Sequence, residues 1–159
     1  DSIKTGLNFI CGSNYNATKS NMVNLRTRLK RRYDLITDPN ERTNFIDSIA
    51  GIFTSNLLNQ IIPYWYGTEW DFEGHTATPN SGQIACGYFV STTLKDMGLK
   101  LNRYRLAQSD PWTEAKFIAI DSANLEEFDT EDFNNLTDLL NGIKDGLYFV
   151  GLDNHVGYF

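Results

Sequence analysis

Two side chains in this sequence are of a type and placement that could carry nucleophilic chemistry: Cys86 and His155. Cys86 sits in Gly82-Gln83-Ile84-Ala85-Cys86-Gly87-Tyr88-Phe89-Val90-Ser91-Thr92-Thr93-Leu94. There Ser81 and Gly82 read as turn and cap residues, and Ile84, Tyr88, Phe89 and Leu94 recur at roughly helical spacing. A helix start gathers unpaired N–H groups and the positive end of the helix dipole, one of the few settings that turn a cysteine into a nucleophile. A free cysteine on an apolar helix is more often a small buried hydrophobe, so residue type alone does not decide. His155 opens a β-rich run in which alternation puts His155, Gly157 and Phe159 on one face and Val156 and Tyr158 on the other. Cysteine chemistry needs a thiolate, a base within hydrogen-bond reach and donors for the developing oxyanion. A helix packed on a sheet would bring the two residues together. His75, in a polar loop, is the poorer base and is better suited to lining a groove.

The elements that must position them can be read in order. Residues 1–19 are rich in Asn, Ser and Thr and read as an extended arm. From Ser20, the positions Val23, Leu25, Leu29, Tyr33 and Ile36 predict an amphipathic helix. Asp38 as cap, Pro39 at the first helical position and Glu41 three residues after the cap open a second. It carries Phe45, Ile46, Ile49, Ile52, Phe53, Leu57 and Ile61 and is expected to stop at Pro63, so residues 20–62 form a helical hairpin. Residues 63–82 read as a long loop, and loops of that length in a compact domain are usually functional. Its aromatic and carboxylate side chains suit either the wall of a groove or the cover of a satellite core. Tyr64, Trp65, Trp70, Asp71, His75 and Gln83 are the candidates for lining a substrate groove.

Beyond the cysteine helix, Gly98 is suited to a left-handed cap, and residues 99–105 read as extended. Asp110-Pro111-Trp112 opens a short helix or turn, and Lys116 to Ile120 read as a strand or the end of that helix. The acidic stretch 122–145 reads as one or two surface helices, and Gly146 to Phe159 as a hairpin turning at Asp153-Asn154.

Composition narrows the classes. At 159 residues the chain is most economically one domain, 1–159, and its 13% aromatic content argues for a folded core. A net charge of −6 excludes a general nucleic-acid binder, and the local run Arg26, Arg28, Lys30, Arg31 and Arg32 reads as a solvated helix side. No run is long and apolar enough to span a bilayer. Two His and two Cys at these spacings match no zinc pattern, so no metal is expected. Neither a Gly-rich phosphate loop nor a Ser elbow is present, and no cofactor is expected. Cys11 and Cys86 could instead form a disulfide, which would remove the nucleophile. The start at Asp1 fits either a cleaved signal peptide or the boundary of the piece expressed.

Pro63-Tyr64, Gly67-Thr68, Cys86-Gly87-Tyr88-Phe89-Val90, Gly146-Leu147-Tyr148-Phe149-Val150 and His155-Val156-Gly157-Tyr158 together resemble the NlpC-like cell-wall cysteine peptidases. In that family a P-Y-x-W-G-G segment precedes a D-C-S-G-F/Y-V helix start, and a G-D-L-V-F-F strand precedes H-V-G-I-Y. The likeness covers residues 63–159, with Ala85 in place of the family's Asp, Gly87 in place of its Ser, and Gly67-Thr68 in place of its paired glycines. It implies an α+β, papain-like fold with the cysteine helix packed on a small antiparallel sheet. It also implies Cys86 as nucleophile, His155 as base, and Tyr64 as the tyrosine whose hydroxyl sits near the nucleophile. The implied substrate is an amide bond in a peptidoglycan stem peptide or similar peptide, and the implied location is secreted or periplasmic.

The family's third polar residue, which orients the histidine, lies on a strand after H-V-G-I-Y. In this chain Asp121 or Asp153 would have to substitute, or a further polypeptide segment after Phe159 would supply it; the third catalytic residue is left unassigned. Two other classes fit the same residues: a non-catalytic peptide- or glycan-binding module, and a Cys/His acyltransferase.

Overall fold

The structure is a computed structural model that describes residues 14–119, 121–128, 133–144 and 146–159. Helices dominate it, with short β segments between them, an α+β composition. The chain divides into two compact units, Asp1–Gln108 and Ser109–Phe159.

In the first unit α1 spans Tyr15–Leu35. It begins five residues before the expected Ser20. Its buried stripe is Tyr15, Thr18 and Met22, while Val23, expected on that stripe, is half exposed. What fixes the early start is tertiary rather than local: the Tyr15 hydroxyl donates to Asp96 Oδ2 at 2.6 Å and accepts from Trp65 Nε1 at 3.0 Å. The first part of the expected arm, residues 1–13 with Cys11, lies outside the described residues.

The second helix α2, Pro39–Asn56, starts as its sequence predicts, with the Asp38 carboxylate accepting from the Glu41 N–H at 2.8 Å and Pro39 in the first turn. It does not stop at Pro63. The helical path widens into a π-helical segment, Leu57–Ile61, and tightens into a 3-10 turn, Ile62–Trp65. Proline is tolerated there because the first turn of a helix needs no N–H from it. Leu57 and Ile61 are fully buried and form the apolar centre of the unit with Val90 and Leu94.

The expected loop that follows is tied down. β1 (Glu69–Trp70) pairs in parallel with β2 (Gln83–Ile84), and His75 bridges Ile84 from the other side in antiparallel sense. Helix α3, Cys86–Asp96, packs on the helix Arg103–Ala107 (α4) and on the Leu57–Ile61 segment. Its buried Ser91, Thr92 and Thr93 satisfy their hydroxyls on carbonyls of the preceding turn, Tyr88 and Phe89. Gly98 closes the helix at φ +100°, the left-handed conformation glycine accepts at no steric cost. Residues 103–105, the end of the run expected to be extended, instead belong to α4, Arg103–Ala107, because the Asn102 side chain caps it by accepting from Arg105 N–H at 3.1 Å.

The second unit opens with α5, Pro111–Ile118, capped by Asp110, whose carboxylate accepts from Thr113 N–H at 2.9 Å. Lys116 is therefore on a helix, not a strand. The acidic stretch holds a 3-10 turn at Ser122–Asn124 and α6, Phe133–Gly142. The hairpin is present as expected: β3 (Phe149–Leu152) pairs antiparallel with β4 (His155–Tyr158), Leu152 opposite His155 across the Asp153-Asn154 turn. Helix α5 packs on β3. A Cβ built on Gly151 would stand 2.8 Å from Pro111 Cβ, so the face bearing Gly151 and its cross-strand partner Val156 receives the helix.

Glu114 is 1% exposed on α5, and its Oε1 has no hydrogen-bond partner among the described residues. Burial pushes its carboxyl up to about 8. In the unfolded chain the group ionises near 4.5, whereas the folded chain holds its proton to about 8. Its contribution to stability is therefore complete below pH 4.5 and is lost as pH rises through 8. Thermal melts across that window should show a falling midpoint for the native sequence and a flatter profile for Glu114→Gln. Parallel profiles would refute the assignment.

Candidate active site

Cys86 is the first residue of α3, behind an extended Ala85 rather than a turn into the helix as the Ser81-Gly82 cap would have given. It is a free cysteine, partly buried. No side chain caps this helix end, and its first turn carries no acidic residue. The first intrahelical bond runs from Phe89 N–H to Ala85 O at 2.9 Å. The start is set by β2, where Ala85 N–H donates to Gly74 O at 2.8 Å and Thr76 N–H to Gln83 O at 2.9 Å.

The expected groove residues separate into two groups. Tyr64 and Trp65 are core residues, 5% and 4% exposed, so neither forms a groove wall. The Tyr64 hydroxyl shares a 3.1 Å hydrogen bond with Thr18 Oγ1, and the Trp65 ring packs edge-on against Phe89 at 6.2 Å. Their burial follows from the helical path through Pro63, which turns both rings inward onto α1 and α3. Trp70 is 63% exposed. Asp71 folds the strand end, its carboxylate accepting from Glu73 N–H at 2.8 Å and its carbonyl from Gly74 N–H at 3.0 Å.

His75 and Gln83 do line a cleft, an open one of about 280 Å³, together with Glu73, Gly74, Thr76, Ser81 and Gly82. The far rim is ordered by Thr76 Oγ1 donating to Ser81 O at 2.5 Å, and by Asn80, at φ +56°, whose Nδ2 donates to Tyr64 O at 2.9 Å. His75 Nδ1 stands 3.0 Å from Glu73 O. A carbonyl can only accept, so Nδ1 carries a proton, and in the neutral ring Nε2 keeps its lone pair.

The backbone of this cleft is held by a residue absent from the candidates that the sequence offers. Arg103 on α4 is 5% exposed. Its guanidinium donates to Thr92 Oγ1 at 2.5 Å, His75 O at 2.8 Å and Thr76 O at 2.6 Å. Its Cζ stands 4.8 Å from the Tyr88 ring centre and 5.3 Å from that of Tyr104. The sequence signal for it is Asn102 followed by Arg-Tyr-Arg-Leu-Ala, a capped helix turn, which the spacing of Leu99, Leu101, Arg103 and Arg105 disguises as alternation.

His155 belongs to the second unit. It is exposed, on the hairpin face opposite the one that takes α5, while its neighbour Val156 is 5% exposed. Asp121, one candidate to orient it, uses its carboxylate to accept from Ala123 N–H at 3.1 Å, and Asp153 is exposed in the hairpin turn. Among the described residues no group of three His, Cys, Asp or Glu is placed to hold a metal ion. No described helix is long and apolar enough to cross a membrane. No protein-family model, curated protein or solved structure matches the chain.

Gly87, next to the cysteine, admits the close approach of α4: a Cβ there would stand 2.8 Å from Ala107 O. Gly87→Ala should lower stability by about 1–3 kcal/mol, as overpacking does, measured by urea unfolding. An unchanged midpoint would show that α4 shifts freely.

Proposed function

We propose that the chain is a cysteine hydrolase that cleaves an amide bond in a peptidoglycan stem peptide or similar peptide, with Cys86 as nucleophile and His155 as base. The observation that carries the reading is Cys86 at the first position of an uncapped helix, free and three residues after Gln83, which lines the open cleft. The sequence likeness at Cys86 to Val90 and His155 to Tyr158 supports the choice of base, a papain-like arrangement and a secreted or periplasmic setting.

In the reaction the thiolate attacks the amide carbonyl carbon and the oxygen takes up negative charge. First-turn N–H groups of α3 are the donors available to meet it. Collapse expels the amine, which takes the proton held by the imidazole. Water then attacks the thioester with the imidazole as base, releasing the acid and regenerating the thiol.

Cys86→Ala should abolish stem-peptide hydrolysis with an unchanged far-UV spectrum, and His155→Ala should lower kcat by about 10²–10⁴-fold. Iodoacetamide should label Cys86 before Cys11 at neutral pH. Hydrolysis retained by Cys86→Ala would end the proposal. Amide exchange onto an added amine in place of hydrolysis would move it to acyl transfer.

A further inference from the structure

We infer that His75 is a substrate-binding residue of this cleft, its Nε2 accepting a hydrogen bond from a backbone amide N–H of a bound peptide, and that Arg103 is the positioning residue that holds it there; this rests on the hydrolase reading. Three independent constraints converge on this imidazole. The hydrogen bond from Nδ1 to Glu73 O fixes the tautomer, so Nε2 is an acceptor whenever the ring is neutral. The ring itself is braced by Tyr88, 6.1 Å between centres and tilted by 55°. The backbone beneath it is immobilised, since His75 bridges Ile84 while its carbonyl and that of Thr76 accept from the buried Arg103 guanidinium.

The ligand chemistry follows from what the cleft offers. His75, Glu73 and Gln83 are among its lining residues, and the neutral imidazole Nε2, the carboxylate and the amide carbonyl are all acceptors. An extended peptide, with an N–H at every residue, supplies the matching donors. The buried Arg103 turns its Nε–H to Thr92 and its Nη2 to the His75 and Thr76 carbonyls, so those donors do not compete for the cleft's acceptors. His75 bridges Ile84, two residues before Cys86, so the binding residue is tied to the segment that leads into the proposed nucleophile.

The test uses the full chain carrying Cys86→Ala, so that binding is read apart from cleavage, with a synthetic peptidoglycan stem peptide as the probe in titration calorimetry. Adding His75→Phe should weaken binding about tenfold, the worth of one hydrogen bond. His75→Gln, whose carbonyl can accept, should stay within about threefold of the parent. Arg103→Lys, which keeps the charge but loses the fork, should weaken binding with the imidazole still present. Equal binding by His75→Phe and the parent, loss in His75→Gln as deep as in His75→Phe, or no binding by the parent overturns the inference. If His75→Phe does not fold, Arg103→Lys decides: unchanged affinity overturns it. Failure of the hydrolase reading shows separately, as stem-peptide cleavage surviving in Cys86→Ala.

Discussion

A guanidinium taken out of water must find acceptors for its donors or the fold loses several kcal/mol, and Arg103 meets that constraint with neutral acceptors among the described residues. Two backbone carbonyls, one threonine hydroxyl and the faces of two tyrosines surround it. Neutral acceptors in fixed directions make a stricter demand than a mobile acid would. The carbonyls of His75 and Thr76 must both point toward it, which sets the course of the backbone there. The 74–76 segment in turn pairs with Gln83 and Ala85, and Ala85 is the residue from which α3 starts. The position of Cys86 is thus the end of a chain of hydrogen bonds that begins at one buried cation.

The same unit solves a second burial problem in a similar way. Trp65, Tyr15 and Asp96 form a relay in which the indole donates to the phenol and the phenol to the carboxylate. Burial raises the Asp96 carboxyl, and the Tyr15 hydrogen bond opposes the rise. That relay joins the start of α1, the turn after Pro63 and the end of α3. Buried polar groups therefore fix which helices meet, while Leu57, Ile61, Val90 and Leu94 supply the apolar contact between them. Glu114, in the second unit, is the contrasting case: burial with one oxygen unpartnered leaves neutralisation as the way to avoid an isolated charge.

What was legible in the sequence was what neighbours decide. Asp38-Pro39-Asn40-Glu41 and Asp110-Pro111 carry their own caps, Gly98 its own left-handed turn, and Asp153-Asn154 its hairpin, so each forms where the residues say. Cys86 at a helix start and His75 and Gln83 beside a groove were also readable, because helix and loop signals lie within a few residues. The failures share a different cause. Tyr15 joins α1 because of Asp96 and Trp65, far along the chain, and Tyr64 and Trp65 face inward because the helix runs on through Pro63. Aromatic character fits a groove wall and a core equally well, and only the partners distinguish them.

Gly87 shows how a departure from a familiar pattern can be a packing requirement. The resembled family carries a serine after its cysteine, whereas here a side chain at that position would run into Ala107 O. Without a Cβ, α3 lets α4 come up against its first turn, and α4 carries Arg103 four residues before Ala107. Moving α4 outward to admit a serine would draw the guanidinium away from Thr92 on the same helix and from the 75–76 carbonyls beyond it. The glycine beside the thiol and the buried arginine under the cleft are therefore two parts of one arrangement, and each makes sense of the other.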